Sequence, residues 1–114
     1  MTELKNKRCV PCSGDAPPVT QAEIDALKPE IPDWTIIERE GVPRLERTYR
    51  FSGFKAGVDF TVKVSDLAEQ EGHHPIILIE WGKVTVSWWT HEIAALHVND
   101  FIMATKTDEI YAQP

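Results

Sequence analysis

Three of the four histidines of this chain gather in and just beyond one segment, Glu69-Gln70-Glu71-Gly72-His73-His74-Pro75, with Trp81, Thr90-His91-Glu92 and Asp100 following at short intervals. Imidazole is the one side chain whose ordinary pKa, about 6.5, lets it give and take protons freely near neutrality. Such a cluster points to acid–base catalysis or to a metal site.

The zinc reading takes His73, His74 and His91 as three ligands of a catalytic ion. Adjacent histidines on a turning backbone diverge, however, and the helical H-E-x-x-H arrangement is absent, so no metal is expected. Proton chemistry fits the local features better. Pro75 disfavours helical geometry at His74, so a helix arriving from the N-terminal side ends near His73 and the chain turns extended, leaving both imidazoles at a helix-to-strand corner. Glu69 precedes His73 by four residues, the spacing that shares a helical face, where a carboxylate can orient the ring and balance its charge. Read alone, Glu69 is a solvated helix residue and His74 an exposed loop residue. Asp100 reads as a carboxylate in the first turn of the last helix, a structural cap that complements the helix dipole. His97, beside that N-terminus, also reads as structural.

The elements that must position these residues follow from periodicity and breakers. Thr20-Gln21-Ala22-Glu23 is a capping box opening a short helix through Leu27, closed by Pro29. Trp34 to Glu40 and Pro43 to Phe51 read as a hairpin around Glu40-Gly41-Val42. Gly53 to Gln70 contains no proline, and Phe54, Val58, Thr61 or Val62, and Ser65 recur at helical spacing, which predicts the longest helix, packed on the hairpin. Ile76 to Ile79 and Val84 to Trp89 flank Glu80-Trp81-Gly82-Lys83 as a second hairpin. In it Val84, Val86 and Trp88 face the core, and Thr85, Ser87 and Trp89 face away. The period of two carries His91 to that outer side if the strand continues to it. Trp89 and Trp81 then offer flat apolar surface suited to a planar heterocycle, although Trp81 can equally shape the hairpin turn. Asn99 to Tyr111 closes the chain as a helix. The order α-β-β-α-β-β-α predicts an α+β fold: a four-stranded antiparallel sheet with helices packed on one face.

A chain of 114 residues suits one domain, expected over 20–114 behind a flexible N-terminal arm, 1–19. Its two cysteines, Cys9 and Cys12, lie in that arm; with no second CxxC and no neighbouring strand pattern, they read as a reduced, incidental pair. The formal net charge of −6 and the scattered lysines and arginines lack the footprint of phosphate-backbone binding, so no direct nucleic acid partner is expected. No apolar run approaches the roughly 20 residues that span a bilayer, so no membrane partner is expected either. The polar, basic Met1–Arg8 carries no secretory h-region, which leaves the cytoplasm as the expected compartment.

Taken together, Glu69, His73-His74-Pro75, Trp81, His91 and Asp100 resemble the signature of the pterin-4a-carbinolamine dehydratases. The resemblance extends to the Cys9-x-x-Cys12 and Pro17-Pro18 arm, Pro32-Asp33-Trp34, Phe51-x-x-Phe54 and Thr90-His91-Glu92. It implies dehydration of 4a-hydroxytetrahydropterin to the quinonoid dihydropterin, recycling the cofactor of aromatic amino acid hydroxylases, without a metal or other cofactor. By resemblance His73 and His91 are the principal proton-transfer residues, His74 binds the pterin and assists, Glu69 supports the histidines, and Pro75, Trp81 and Trp89 contact substrate. Assembly as a homodimer or homotetramer is implied, with an aromatic amino acid hydroxylase as a candidate partner. The alternative implied by the same family is a non-catalytic dimerisation or transcriptional-coactivator role. The chain departs from the family pattern in carrying Trp81 where tyrosine is common, Ile76 for a frequent glutamate, His97 at a usual Ser/Thr cap, and the bulky Trp89 at a position often small.

Overall fold

The computed structural model describes residues 17–113, so Cys9, Cys12 and most of the expected arm lie outside the described residues. Of that arm, Val19 is already tied down, its N–H donating to Leu96 O at 2.8 Å. The capping box is formed: Glu23 N–H donates to Thr20 Oγ1 at 3.1 Å and Thr20 N–H to Glu23 Oε1 at 2.9 Å. It opens α1 (Gln21–Leu27), which Pro29 tightens into a 3-10 turn, Lys28–Glu30.

Two hairpins then build one sheet. β1 (Thr35–Arg39) and β2 (Val42–Arg50) are joined by Glu40-Gly41, both at positive φ, the geometry whose twist matches that of the flanking strands. β3 (Ile76–Glu80) and β4 (Lys83–Trp88) are joined by Trp81-Gly82. All pairings are antiparallel in the order β1-β2-β4-β3, with Leu45 opposite Trp88 and Ile76 opposite Ser87. Between the hairpins runs α2 (Phe54–Glu71), and α3 (Val98–Ala112) ends the fold. α2 packs on β3 and β4 and α3 on β2 and β4, giving the expected α+β layer.

The buried stripe of α2 differs from the one the periodicity suggested. Gly57, Phe60, Val64 and Ala68 face the sheet, whereas Phe54 and Val62 are exposed. Gly57 explains the rotation, since a Cβ there would stand 3.0 Å from Val84 Cγ2. The missing side chain lets the helix axis settle close to β4, a contact that a scan for large apolar residues cannot see.

The core joins Trp34, Leu45, Tyr49, Val64, Val84, Val86, Trp88, Phe101 and Met103. At its edge the partly exposed Asp108 accepts through Oδ1 from Trp34 Nε1 (2.9 Å), Arg47 Nη1 (2.7 Å) and the Tyr49 hydroxyl (2.5 Å), a polar knot that clamps α3 to the sheet. Burial, with the Asp108 charge beside it, pushes the Tyr49 phenol far above the usual tyrosine range. The opposite face of the sheet is covered by no helix among the described residues and leaves Ile76 and Leu78 exposed, while Ile36, paired with Leu45 on the helix-bearing face, is exposed at the edge strand.

Candidate active site

The first corner is made by a helix stop. Gly72 takes the left-handed conformation (φ 65°), the usual way to terminate a helix without a Cβ penalty, and the His73 N–H donates back to Ala68 O at 3.1 Å. The chain therefore leaves the helix before His73, and the i,i+4 relation with Glu69 is lost. This corrects the expected pairing. Glu69 Oε2 receives His74 Nε2 at 2.5 Å, both side chains being largely exposed, while His73 turns inward and is 6% exposed.

His73 Nε2 donates to Asp100 Oδ1 at 2.6 Å, and its ring stacks on Trp88 with 5.7 Å between centroids. Asp100 is fully buried, and its second oxygen accepts from the Thr90 hydroxyl (2.8 Å) and the His97 N–H (2.9 Å). It is thus the cap that its position predicts and, in addition, the partner of His73. His97 is structural as expected: its Nδ1 accepts from the Asn99 N–H at 3.0 Å and takes the place of a Ser or Thr cap.

His91 arrives differently from the strand-period reading. β4 ends at Trp88, and Thr90 and Ala95 close a tight loop through Thr90 N–Ala95 O (2.9 Å) around a 3-10 turn, His91–Ile93, with Ala94 at φ 48°. The loop lays His91 against the first corner, with Nε2 donating to His74 O at 3.2 Å. A carbonyl only accepts, so Nε2 carries a hydrogen and the lone pair of neutral His91 lies at Nδ1. Carboxylates fix the same tautomer on neutral His73 and His74, and among the described residues no partner engages Nδ1 of any of the three.

Trp89 is not on an open surface as the alternation implied. It is 8% exposed, its ring stacked on His91 at 4.3 Å and covered by the Arg44 guanidinium at 4.0 Å. Arg44 escaped the sequence reading because its place beside Trp89 depends on the β2–β4 register, which no local motif encodes. Pro75 starts the extended run into β3. Trp81 stands apart at the far end of that strand, roughly 17 Å of backbone away and 74% exposed, so within one chain it does not join the histidines. Among the described residues, no three His, Cys, Asp or Glu side chains are grouped as a metal shell requires.

The site therefore gathers three imidazoles with a common free nitrogen, two carboxylates behind two of them, and an indole beside the third. Comparison with known proteins bears on what such a site does. A solved structure titled as a transcriptional coactivator/pterin dehydratase from Brucella melitensis shares the fold at a TM-score of 0.76, with 23% identity over 84% of this chain and 100% of that one. A protein of Microcystis aeruginosa named "Putative pterin-4-alpha-carbinolamine dehydratase" is 54% identical over 99% of this chain and 97% of its own length. One of Gloeobacter violaceus with the same name, numbered 1, is 58% identical over 96% and 95%. The family model described as pterin 4 alpha carbinolamine dehydratase matches residues 17–110, and the chain belongs to that family.

Proposed function

We propose that this protein dehydrates 4a-hydroxytetrahydropterin to the quinonoid dihydropterin by acid–base catalysis on its histidines, with no metal or organic cofactor. The observation that carries the reading is the shared arrangement of His73, His74 and His91, each held at Nε2 and open at Nδ1. The reaction breaks C4a–O and N5–H, forms the C4a=N5 double bond and releases water. One group must deliver a proton to the departing hydroxyl while another removes the N5 proton. His73 and His91 are the proton-transfer pair and act through Nδ1. Asp100 holds the ring of His73, and its negative charge balances an imidazolium there. His91 meets the His74 carbonyl rather than a carboxylate and stacks on Trp89, which suits the neutral form that accepts a proton. His74, exposed and oriented by Glu69, binds the pterin and assists.

After a separate two-electron reduction to the tetrahydropterin, the product would return to an aromatic amino acid hydroxylase in the cytoplasm. Self-assembly to a dimer or tetramer would cover the edges of β1 and β3, which no strand among the described residues pairs and which invite pairing with another chain. These edges and the exposed Ile36, Ile76 and Leu78 also favour, as a second reading, a protein-binding role independent of the histidines. The test is the decay of freshly generated 4a-hydroxytetrahydropterin, followed by ultraviolet absorbance, with wild type, His73→Ala and His91→Ala. Acceleration by wild type that both variants largely lose supports the enzyme. A folded wild type that matches the uncatalysed rate defeats it and leaves the binding role.

A further inference from the structure

Arg44 is half-buried, and its Nε is fully screened from solvent with no acceptor among the described residues. Its neighbours are treated differently: Arg39 lies 3.6 Å from Glu46, and Arg47 is paired with Asp108 at 2.7 Å. What holds Arg44 is the indole of Trp89, the same ring on which His91 stacks. A screened N–H without an acceptor, one ring away from a proton-transfer histidine, is costly to keep unless something with acceptor oxygens arrives there.

The sheet's open face provides the space. Arg44 and Arg39 line a shallow depression of about 440 Å³ together with Glu46, Thr85, Ser87 and Ile76, the residue that follows Pro75. The depression thus lies along strands that no helix covers among the described residues, and at Ile76 it comes within two residues of His74 in the chain. We propose that Arg44 is the specificity-determining residue of the dehydratase site: it receives the oxygen-bearing substituent at C6 of the pterin, a polyol or a phosphate, while the ring lies against His91. This rests on the dehydratase reading. Trp89 acts as the spacer that keeps the guanidinium flat and one ring away from the imidazole.

The experiment compares 4a-hydroxytetrahydropterins with methyl, dihydroxypropyl or trihydroxypropyl-phosphate groups at C6, for wild type, Arg44→Lys and Arg44→Met. The dissociation constants of the matching 7,8-dihydropterins are measured in parallel. Methionine still covers the indole, and thermal melting checks that each variant is folded. Wild type is expected to favour at least one oxygen-bearing group over methyl by on the order of tenfold in kcat/KM and in Kd. Arg44→Met loses that ratio and Arg44→Lys keeps part of it. Which substituent is favoured tells polyol from phosphate. Equal treatment of all three by wild type, or an unchanged ratio in Arg44→Met, overturns the assignment, as does failure of any dihydropterin to bind. Failure of the dehydratase reading appears separately, as no acceleration even of the methyl compound, and the ratio of dissociation constants still decides the role of Arg44.

Discussion

Replacing Asp100 with asparagine tests the site through one atom. The carboxylate accepts from His73 Nε2 at Oδ1 and from the Thr90 hydroxyl and His97 N–H at Oδ2. An amide offers one acceptor oxygen and one NH2. The backbone N–H of His97 cannot become an acceptor, so the amide oxygen stays with His97 and Thr90, and the NH2 turns toward His73. Two donors then face each other unless neutral His73 moves its hydrogen from Nε2 to Nδ1, which removes the lone pair from the atom proposed to exchange protons. The side chain is fully buried, so bulk water cannot relieve the mismatch. Exchanging a charged hydrogen bond for a neutral one costs about 1–2 kcal/mol, which in a domain of this size lowers Tm by about 4–16 °C. The rate should fall much further. A serine protease triad held in the wrong tautomer by the same exchange loses about 10,000-fold in kcat, and a loss of at least about 100-fold is expected here. The assay pairs the dehydration rate with 15N chemical shifts of the imidazole nitrogens. A folded Asp100→Asn that shows the Nδ1–H tautomer and still turns over at the wild-type rate refutes proton transfer through His73 Nδ1.

Glu69→Gln removes the counter-charge from an exposed pair, so Tm should stay within about 1 °C, while KM for the pterin rises several-fold if Glu69 orients His74 for binding. Gly72→Ala meets open space but must adopt φ 65°, so it should cost about 1 kcal/mol, read as a Tm loss of about 4–8 °C. Burial raises the Tyr49 phenol far above its unfolded value near pH 10, so its contribution is fully present below about pH 10 and is lost as pH rises beyond it. Tyr49→Phe, which leaves Asp108 its bonds from Trp34 and Arg47, should lower stability at pH 8 by about 1.5 kcal/mol and flatten the alkaline decline. Urea midpoints at pH 8 and pH 10.5 measure both effects.

Element order and type were legible from the sequence because strong punctuation bounds each element: the Thr20–Glu23 box, the glycine of each hairpin turn, the proline-free run from Gly53, and Pro75. Helix and strand ends moved by at most one residue. The face of α2 was not legible. Apolar periodicity scores large side chains, whereas the contact that decides the rotation is the absence of one at Gly57 against Val84. The pairing of Glu69 failed for a related reason. Spacing along an ideal helix holds only while the helix continues, and Gly72 ends it before His73.

The site residues were legible as types, but their partners were not, because each partnership joins segments distant in the chain: His73 with Asp100, His91 with His74, Arg44 with Trp89. Asp100 shows why capping and positioning need not compete. A carboxylate has two oxygens, and one satisfies the first turn of α3 while the other holds His73. The orientation of that imidazole is thereby tied to the docking of α3, which the Asp108 knot fixes further along the same helix. Loosening α3 at Asp108 should therefore reach His73 through the helix itself, without touching any residue of the corner.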